Sequence, residues 1–145
     1  MLIHGVRTTR KRTGRNLKSQ MSKVILNNSI MLYLSMIAQL IVAVSIVIVW
    51  VFRFDNIVIE FKQYGLSDLT RMIIGSAKIA LATLLVAGIW YSSLVLIPAL
   101  MMAFLMICAQ YFHFKVSNPW PKRMPSLALL LLCLFITGVS LNLLS

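Results

Sequence analysis

The hydrophobic pattern of the chain is dominated by four apolar runs, at residues 29–52, 69–89, 93–114 and 125–144. Each run has about the 20 residues that an α-helix needs to cross a hydrocarbon core of about 30 Å. The links between the runs are short, and none of the runs alternates with the period of a strand. The pattern therefore predicts an all-α fold, a membrane-embedded up-down four-helix bundle.

A different pattern occupies the link between the first and second spans. Ile57, Phe61 and Tyr64 recur at i, i+4 and i+7, which predicts a short amphipathic helix at the membrane interface. Gly65 is placed to end this helix, and Ser67 is placed to cap the next one.

Small residues on the spans indicate where helices can approach each other closely. Gly75 and Ala82 share one face of the second span with Arg71 and Lys78, and the adjoining face carries Ser76, Ala80, Thr83 and Ala87. We expect further close contacts at Gly138 and Ser140 in the fourth span.

The segment before the first span is polar and basic. Residues 8–18 alone contain five cations and almost no apolar residue, so we expect residues 1–28 to be a disordered tail. The apolar run that follows is too long for a signal peptide and lacks a small-x-small cleavage site. We therefore expect two parts, a basic tail at 1–28 and a four-helix transmembrane domain at 29–145.

Composition agrees with a membrane protein, because 60% of the residues are apolar and only 12% are charged. The net charge of +11 resembles that of a nucleic-acid-binding protein, but the cations flank the apolar runs, as membrane topology requires. We therefore expect lipid contact and no nucleic-acid partner. Seven cations precede the first span and six lie in the two longer links, which narrowly favours cytoplasmic termini. A start at Met21 would reduce seven to one and reverse that orientation.

Lys78 is the residue that most suggests a site, because it lies about 12 Å beyond Thr70 inside the second span. A charge at that depth costs roughly 3 kcal/mol or more, so it normally faces a bundle interior or a cavity. Alternating helix directions bring the other polar residues at span ends to the same side as the two longer links. The predicted polar pocket comprises Arg53, Glu60, Asp68, Arg71, Lys78, Gln110 and His113. Glu60 and Asp68 are its candidate counter-ions.

Several of these residues also have simpler interpretations. The two arginines could be snorkelling anchors, Gln110 could hydrogen-bond between helices, and His113 could be a solvated interface residue. Cys108 and Cys133 lie 25 residues apart without a CxxC pattern, so we predict no metal site. The chain also shows no nucleophile, base and orienting residue in combination, which favours a role without catalysis of its own.

Several short motifs occur in an order that is characteristic of a known family. A basic residue closes the first span in WVFRF, and EFKQYGL follows it. The second span contains Gly75-Ser76-Ala77-Lys78, and AQYFHFKV precedes the Leu-rich final span. Over residues 30–141 the chain resembles the DoxX-like family of small four-helix membrane proteins. Lys78 departs from the family pattern, in which many members have an acid, so a basic–acidic pair between the first two helices cannot form there.

The resemblance implies a place in membrane redox systems for some members of the family, whereas distant relatives act as membrane chaperones. The founding member is a small subunit of a terminal quinol oxidase, and other members are associated with redox and thiol-stress complexes. We therefore expect an accessory or quinone-interacting subunit in a membrane complex of the bacterial cytoplasmic membrane, with quinone as the candidate ligand. A membrane scaffold or assembly factor and a small anion transporter are the alternatives.

Overall fold

The computed structural model describes the backbone from Leu2 to Leu144 and the side chains of residues 16–142. Within that part of the chain every regular element is helical, and four of the helices are long and apolar enough to cross a membrane. The helices are α1 (Leu2–Phe52), α2 (Phe54–Gln63), α3 (Asp68–Ala87), α4 (Leu96–Lys115) and α5 (Trp120–Leu144), with a 3₁₀ turn at Ser92–Leu94. The predicted helical membrane fold, with a short helix after the first span, is confirmed.

The chain divides into two compact units, residues 1–34 and residues 35–145. In the first unit the backbone is helical from Leu2. The segment contains no proline, and seven of its first 28 residues are lysine or arginine, which are good helix formers. The expected disorder of residues 1–28 stays a prediction. The division into tail and membrane domain at residue 28 stays a prediction.

The core of residues 35–145 is built from all four long helices. Its fully buried side chains are Val42, Ile46, Leu85, Met102, Met106, Cys133 and Ile136. Many large apolar side chains on the same helices are exposed instead, among them Ile73, Ile97, Phe104 and Leu131. In a bilayer these side chains face lipid, so the fit between helices rather than apolar burial decides how they pack.

A side chain of α1 packs over a glycine of α3. A Cβ atom added to Gly75 would overlap the indole ring of Trp50, which packs against the core. The missing side chain of Gly75 therefore makes room for a large aromatic ring. Gly138 does not, because a Cβ atom there would have no heavy atom within 4 Å. The expectation for Gly138 was wrong, since Gly138 lies on the exposed face of α5, whereas Thr137, Val139 and Ser140 around it are buried.

The turn between α2 and α3 follows the sequence prediction. Gly65 has a φ of 70°, its N–H donates to the carbonyl of Lys62 (3.1 Å), and the N–H of Leu66 donates to that of Phe61 (3.0 Å). This is a Schellman motif, which needs a left-handed residue after the helix. Ser67 then caps α3 by accepting a hydrogen bond from the N–H of Thr70 (3.3 Å).

The link between α4 and α5 uses the same motif without a glycine. Ser117 has a φ of 51°, and the N–H of Asn118 donates to the carbonyl of His113 (3.0 Å). The chain can then start α5 at Trp120, five residues before the predicted start at 125. Pro121 lies in the first turn, where the missing N–H has no partner to lose, and Pro125 lies inside the helix.

Candidate functional site

A cavity of about 150 Å³ lies within residues 35–145, where α1 ends, α3 begins and α2 crosses between them. Its walls are mainly apolar, with contributions from Trp50, Ile74, Met106 and Leu129 on the four long helices. The polar residues that line it are Arg53, Asn56, Glu60, Tyr64, Lys78, Cys108, His113, Lys122 and Ser126. Three of these are cations and one is an acid, so the cavity favours a ligand with negative charge or acceptor oxygens.

Lys78 is the charged residue that lies furthest into a span. It is half-buried and about 15 Å along α3 from Asp68, which is close to the middle of a 30 Å core. Among the described residues its ammonium makes no hydrogen bond or ion pair, although Glu60 interacts with it electrostatically. An ammonium without a direct partner at this depth is available to an acceptor on a ligand.

Four of the seven residues of the predicted pocket line this cavity. They are Arg53, Glu60, Lys78 and His113, which come from four different segments of the chain. Arg53 is exposed and lies at the N-cap of α2, whereas His113 is 7% exposed. These four residues, which were selected by their depth along antiparallel helices, thus lie around one cavity.

The structure does not bring the other three residues to the cavity. Arg71 pairs with Asp68 one turn away at 2.5 Å, and its guanidinium lies 5.8 Å from the ring centroid of Phe54. This arrangement holds the start of α2 against α3. The amide of Gln110 donates to the carbonyl of Arg123 and to the hydroxyl of Ser126, both at 2.9 Å, and so joins α4 to α5.

A cluster of three side chains closes one side of the cavity. The Nδ1 atom of His113 lies 2.9 Å from the hydroxyl of Tyr64 and 2.9 Å from the Nδ2 atom of Asn118. The same amide nitrogen donates to the hydroxyl of Tyr64 at 3.1 Å. Tyr64 also stacks on Phe112, with ring centroids 5.5 Å apart. The cluster therefore connects the end of α2 with the end of α4 and the link that follows.

Tyr64 lies outside the spans, and its surroundings keep it protonated. Burial and the nearby carboxylate of Glu60 raise the pKa of the Tyr64 phenol from 10.0 to about 12, against a smaller lowering by the hydrogen bond from Asn118. Both dominant effects act on the phenolate, which loses hydration and is repelled by a negative charge. The phenol is therefore a neutral hydrogen-bonding group at physiological pH.

Sequence analysis missed Tyr64 and Asn118 as polar members of the site. Tyr64 was assigned to the apolar face of the amphipathic helix, and its ring does pack there, but its hydroxyl reaches His113. Asn118 is brought back over His113 by the left-handed turn at Ser117, where no glycine marks the turn. Gly65 gave the signal for the first turn, whereas the second turn has no comparable sequence signal.

Within the described residues no group of three or more histidine, cysteine or acidic side chains could hold a metal ion. Cys133 is buried in the core, and Cys108 is half-buried at the cavity wall.

The comparison with protein families decides what kind of protein this is. The model of the DoxX-like family matches residues 32–136, which include α2 and every residue that lines the cavity. The chain belongs to the DoxX-like family. No curated protein and no solved structure matches it. This DoxX-like protein, with four helices able to cross a membrane, is a multi-pass integral membrane protein.

Proposed function

We propose that this DoxX-like protein is an accessory subunit of a redox system in the bacterial cytoplasmic membrane, and that its cavity binds the head group of a quinone. The observation that carries the proposal is Lys78, an intramembrane cation that lines an apolar cavity and has no direct partner among the described residues. A quinone combines an apolar ring with carbonyl acceptors, and it reaches such a site through the lipid.

The size and chemistry of the cavity support a quinone head group. A cavity of about 150 Å³ is of the size that accommodates a six-membered aromatic ring. The ammonium of Lys78 can donate a charge-assisted hydrogen bond to a carbonyl oxygen, and such bonds are stronger away from bulk water. Trp50, Phe61 and Phe112 supply aromatic wall on three helices.

The proposed role is accessory because the polar residues of the cavity are suited to binding. Lys78 donates, Tyr64 is a neutral phenol, and the Nδ1 atom of His113 is occupied by its neighbours. Electrons would enter and leave the bound quinone through a partner protein in the same membrane. The alternative is an assembly factor that binds no ligand. Such a protein would lie in the same membrane but would not need the cavity.

The direct test is the quinone content of the full-length protein purified from membranes in mild detergent. Wild-type protein should retain quinone through purification, and Lys78→Met should retain about tenfold less, because one charge-assisted hydrogen bond is lost. Lys62→Met is the matched control, since Lys62 is exposed on α2 and does not line the cavity. Wild-type protein without quinone, or full retention by Lys78→Met, would contradict the proposal.

A second readout uses the thiol of Cys108, which lines the cavity, whereas Cys133 is fully buried. A short-chain quinone with a fully substituted ring, which cannot add to a thiol, should slow maleimide modification of Cys108. The protection should disappear in Lys78→Met and persist in Lys62→Met. Equal modification rates with and without the quinone in wild-type protein would place the ligand elsewhere and favour the assembly-factor alternative.

A further inference from the structure

The hydrogen bonds around His113 determine which of its ring nitrogens carries the proton. The amide nitrogen of Asn118 can only donate, and it lies 2.9 Å from Nδ1 of His113. With the amide nitrogen on this side, Nδ1 accepts and the neutral ring carries its proton on Nε2, whereas an amide oxygen in the same place would accept from an Nδ1–H. The hydroxyl of Tyr64, also 2.9 Å from Nδ1, fixes the ring from the side of α2.

The Nε2 atom of His113 remains available to hydrogen-bond to a ligand. His113 lines the cavity, and no described residue hydrogen-bonds to its Nε2 atom. Within the described residues, the one fully buried side-chain nitrogen or oxygen without a partner is Oε1 of Gln39, so Nε2 is not sealed in the protein.

Three separate segments of the chain contribute to this arrangement, namely the end of α2, the end of α4 and the link after α4. The Schellman turn after α4 returns Asn118 to His113, and the C-cap position of α2 carries Tyr64. Asn118 is 6% exposed, and its side-chain nitrogen divides its hydrogen bonds between Tyr64 and His113. A buried amide used in this way fixes the orientation of the imidazole.

We propose that Tyr64 and Asn118 are positioning residues, which hold His113 as the Nε2–H tautomer so that it donates to a carbonyl oxygen of the ligand. The inference rests on the proposed function, because it assigns the quinone carbonyl as the acceptor. With Lys78 as a second donor, the cavity selects ligands with carbonyl oxygens over hydrocarbons of the same size. The cavity therefore recognises the quinone ring by its oxygens as well as by its apolar faces.

The tautomer can be measured directly because the chain has only two histidines, His4 and His113. Full-length protein labelled with ¹⁵N-histidine, with His4→Gln to leave a single imidazole, reports the protonation of each ring nitrogen by NMR. At neutral pH we expect protonated Nε2 and unprotonated Nδ1. In Asn118→Leu and Tyr64→Phe the signals should shift towards a mixture of tautomers. A dominant Nδ1–H tautomer or an imidazolium in the wild-type background would overturn the inference.

The ligand half of the inference is tested by the affinity for a short-chain quinone. Asn118→Leu should weaken binding by about tenfold, the effect of one misplaced hydrogen bond, without loss of helical content. Asn27→Leu is the matched control, because Asn27 is exposed on α1 and belongs to neither the cluster nor the cavity. It should change neither the affinity nor the NMR signals of His113.

Failure of this inference is distinguishable from failure of the proposed function. Quinone binding that is equally tight in wild-type protein, Asn118→Leu and Tyr64→Phe would overturn the positioning role and leave the proposed function intact. An Nε2–H tautomer that depends on Asn118, in wild-type protein that binds no quinone, would support the positioning and overturn both the proposed function and the ligand assigned here.

Discussion

The charged residues at the α2 end of the bundle have different partners, and this difference separates structural from ligand-binding roles. Arg71 is paired with Asp68 within its own helix and lies near the ring of Phe54. Lys78, two turns further along the same helix, has no such partner among the described residues. Since an unpaired intramembrane charge is costly, Lys78 is the residue on which the proposed ligand site rests.

The ionisation of Tyr64 at alkaline pH can be predicted, because its pKa is raised from 10.0 to about 12. The part of the tyrosinate absorbance that disappears in Tyr64→Phe belongs to Tyr64. We expect it to develop near pH 12, which is above the pH at which an ordinary tyrosine ionises. Glu60→Gln should lower this pKa, because a negative charge that opposes the phenolate is removed. Asn118→Leu should raise it, because a hydrogen bond to the phenolate is lost.

The measurement is an alkaline titration of tyrosinate absorbance, taken as the difference between each protein and its Tyr64→Phe counterpart. Differences isolate Tyr64 from the other three tyrosines of the chain. A Tyr64 that ionises near pH 10 would mean that its hydroxyl faces water, and the hydrogen-bonded cluster with His113 would then be wrong.

The contact between α1 and α3 depends on the missing side chain of Gly75. In Gly75→Ala the new methyl group meets the indole of Trp50, and the ring or the helices must move. We expect a loss of about 1–3 kcal/mol in stability, the usual effect of overpacking. Gly138→Ala is the control, because its methyl group meets nothing within 4 Å, and the substitution should be neutral or stabilising by about 0.5–1 kcal/mol.

Thermal unfolding in detergent measures both variants, and a second substitution identifies the cause. Trp50→Leu should remove most of the penalty of Gly75→Ala, because the ring that blocks the methyl group is gone. Equal unfolding temperatures for Gly75→Ala and Gly138→Ala would show that α1 and α3 are further apart than described here.

The elements themselves were largely predictable because each has a local signal. Span length, the period of the amphipathic helix, Gly65 and Ser67 act within a few residues of where they lie in the chain. The start of α5 was misplaced because Pro121 and Pro125 are both compatible with a first turn, and the sequence does not say which one begins the helix. The site was half predictable for a related reason. Depth along a helix placed Lys78 and His113, whereas the bond from Asn118 depends on a turn without a sequence signal.

The cavity lies at one end of the helix bundle, and the links between the helices show which end this is. α2 and the 116–119 link follow helices that run in the same direction, so both lie at the cavity end. The link at 88–91 lies at the other end. Which end faces the cytoplasm determines the compartment on whose side the cavity lies, and the distribution of positive charge determines this orientation.

Measuring the membrane orientation therefore tests whether the basic segment before the first span determines it. With seven cations in residues 1–23 against six in the two longer links, the positive-inside rule places the cavity end outside the cytoplasm. Deleting residues 1–20 leaves one cation against six, and the orientation should reverse. In a background of Cys108→Ala and Cys133→Ala, a membrane-impermeant maleimide on intact cells should label Lys62→Cys and spare Trp90→Cys, both of which are exposed. The deletion should exchange the two results. Labelling of both positions from one side would contradict the up-down topology, whereas an unchanged pattern after the deletion would mean that the cations of the tail do not set the orientation.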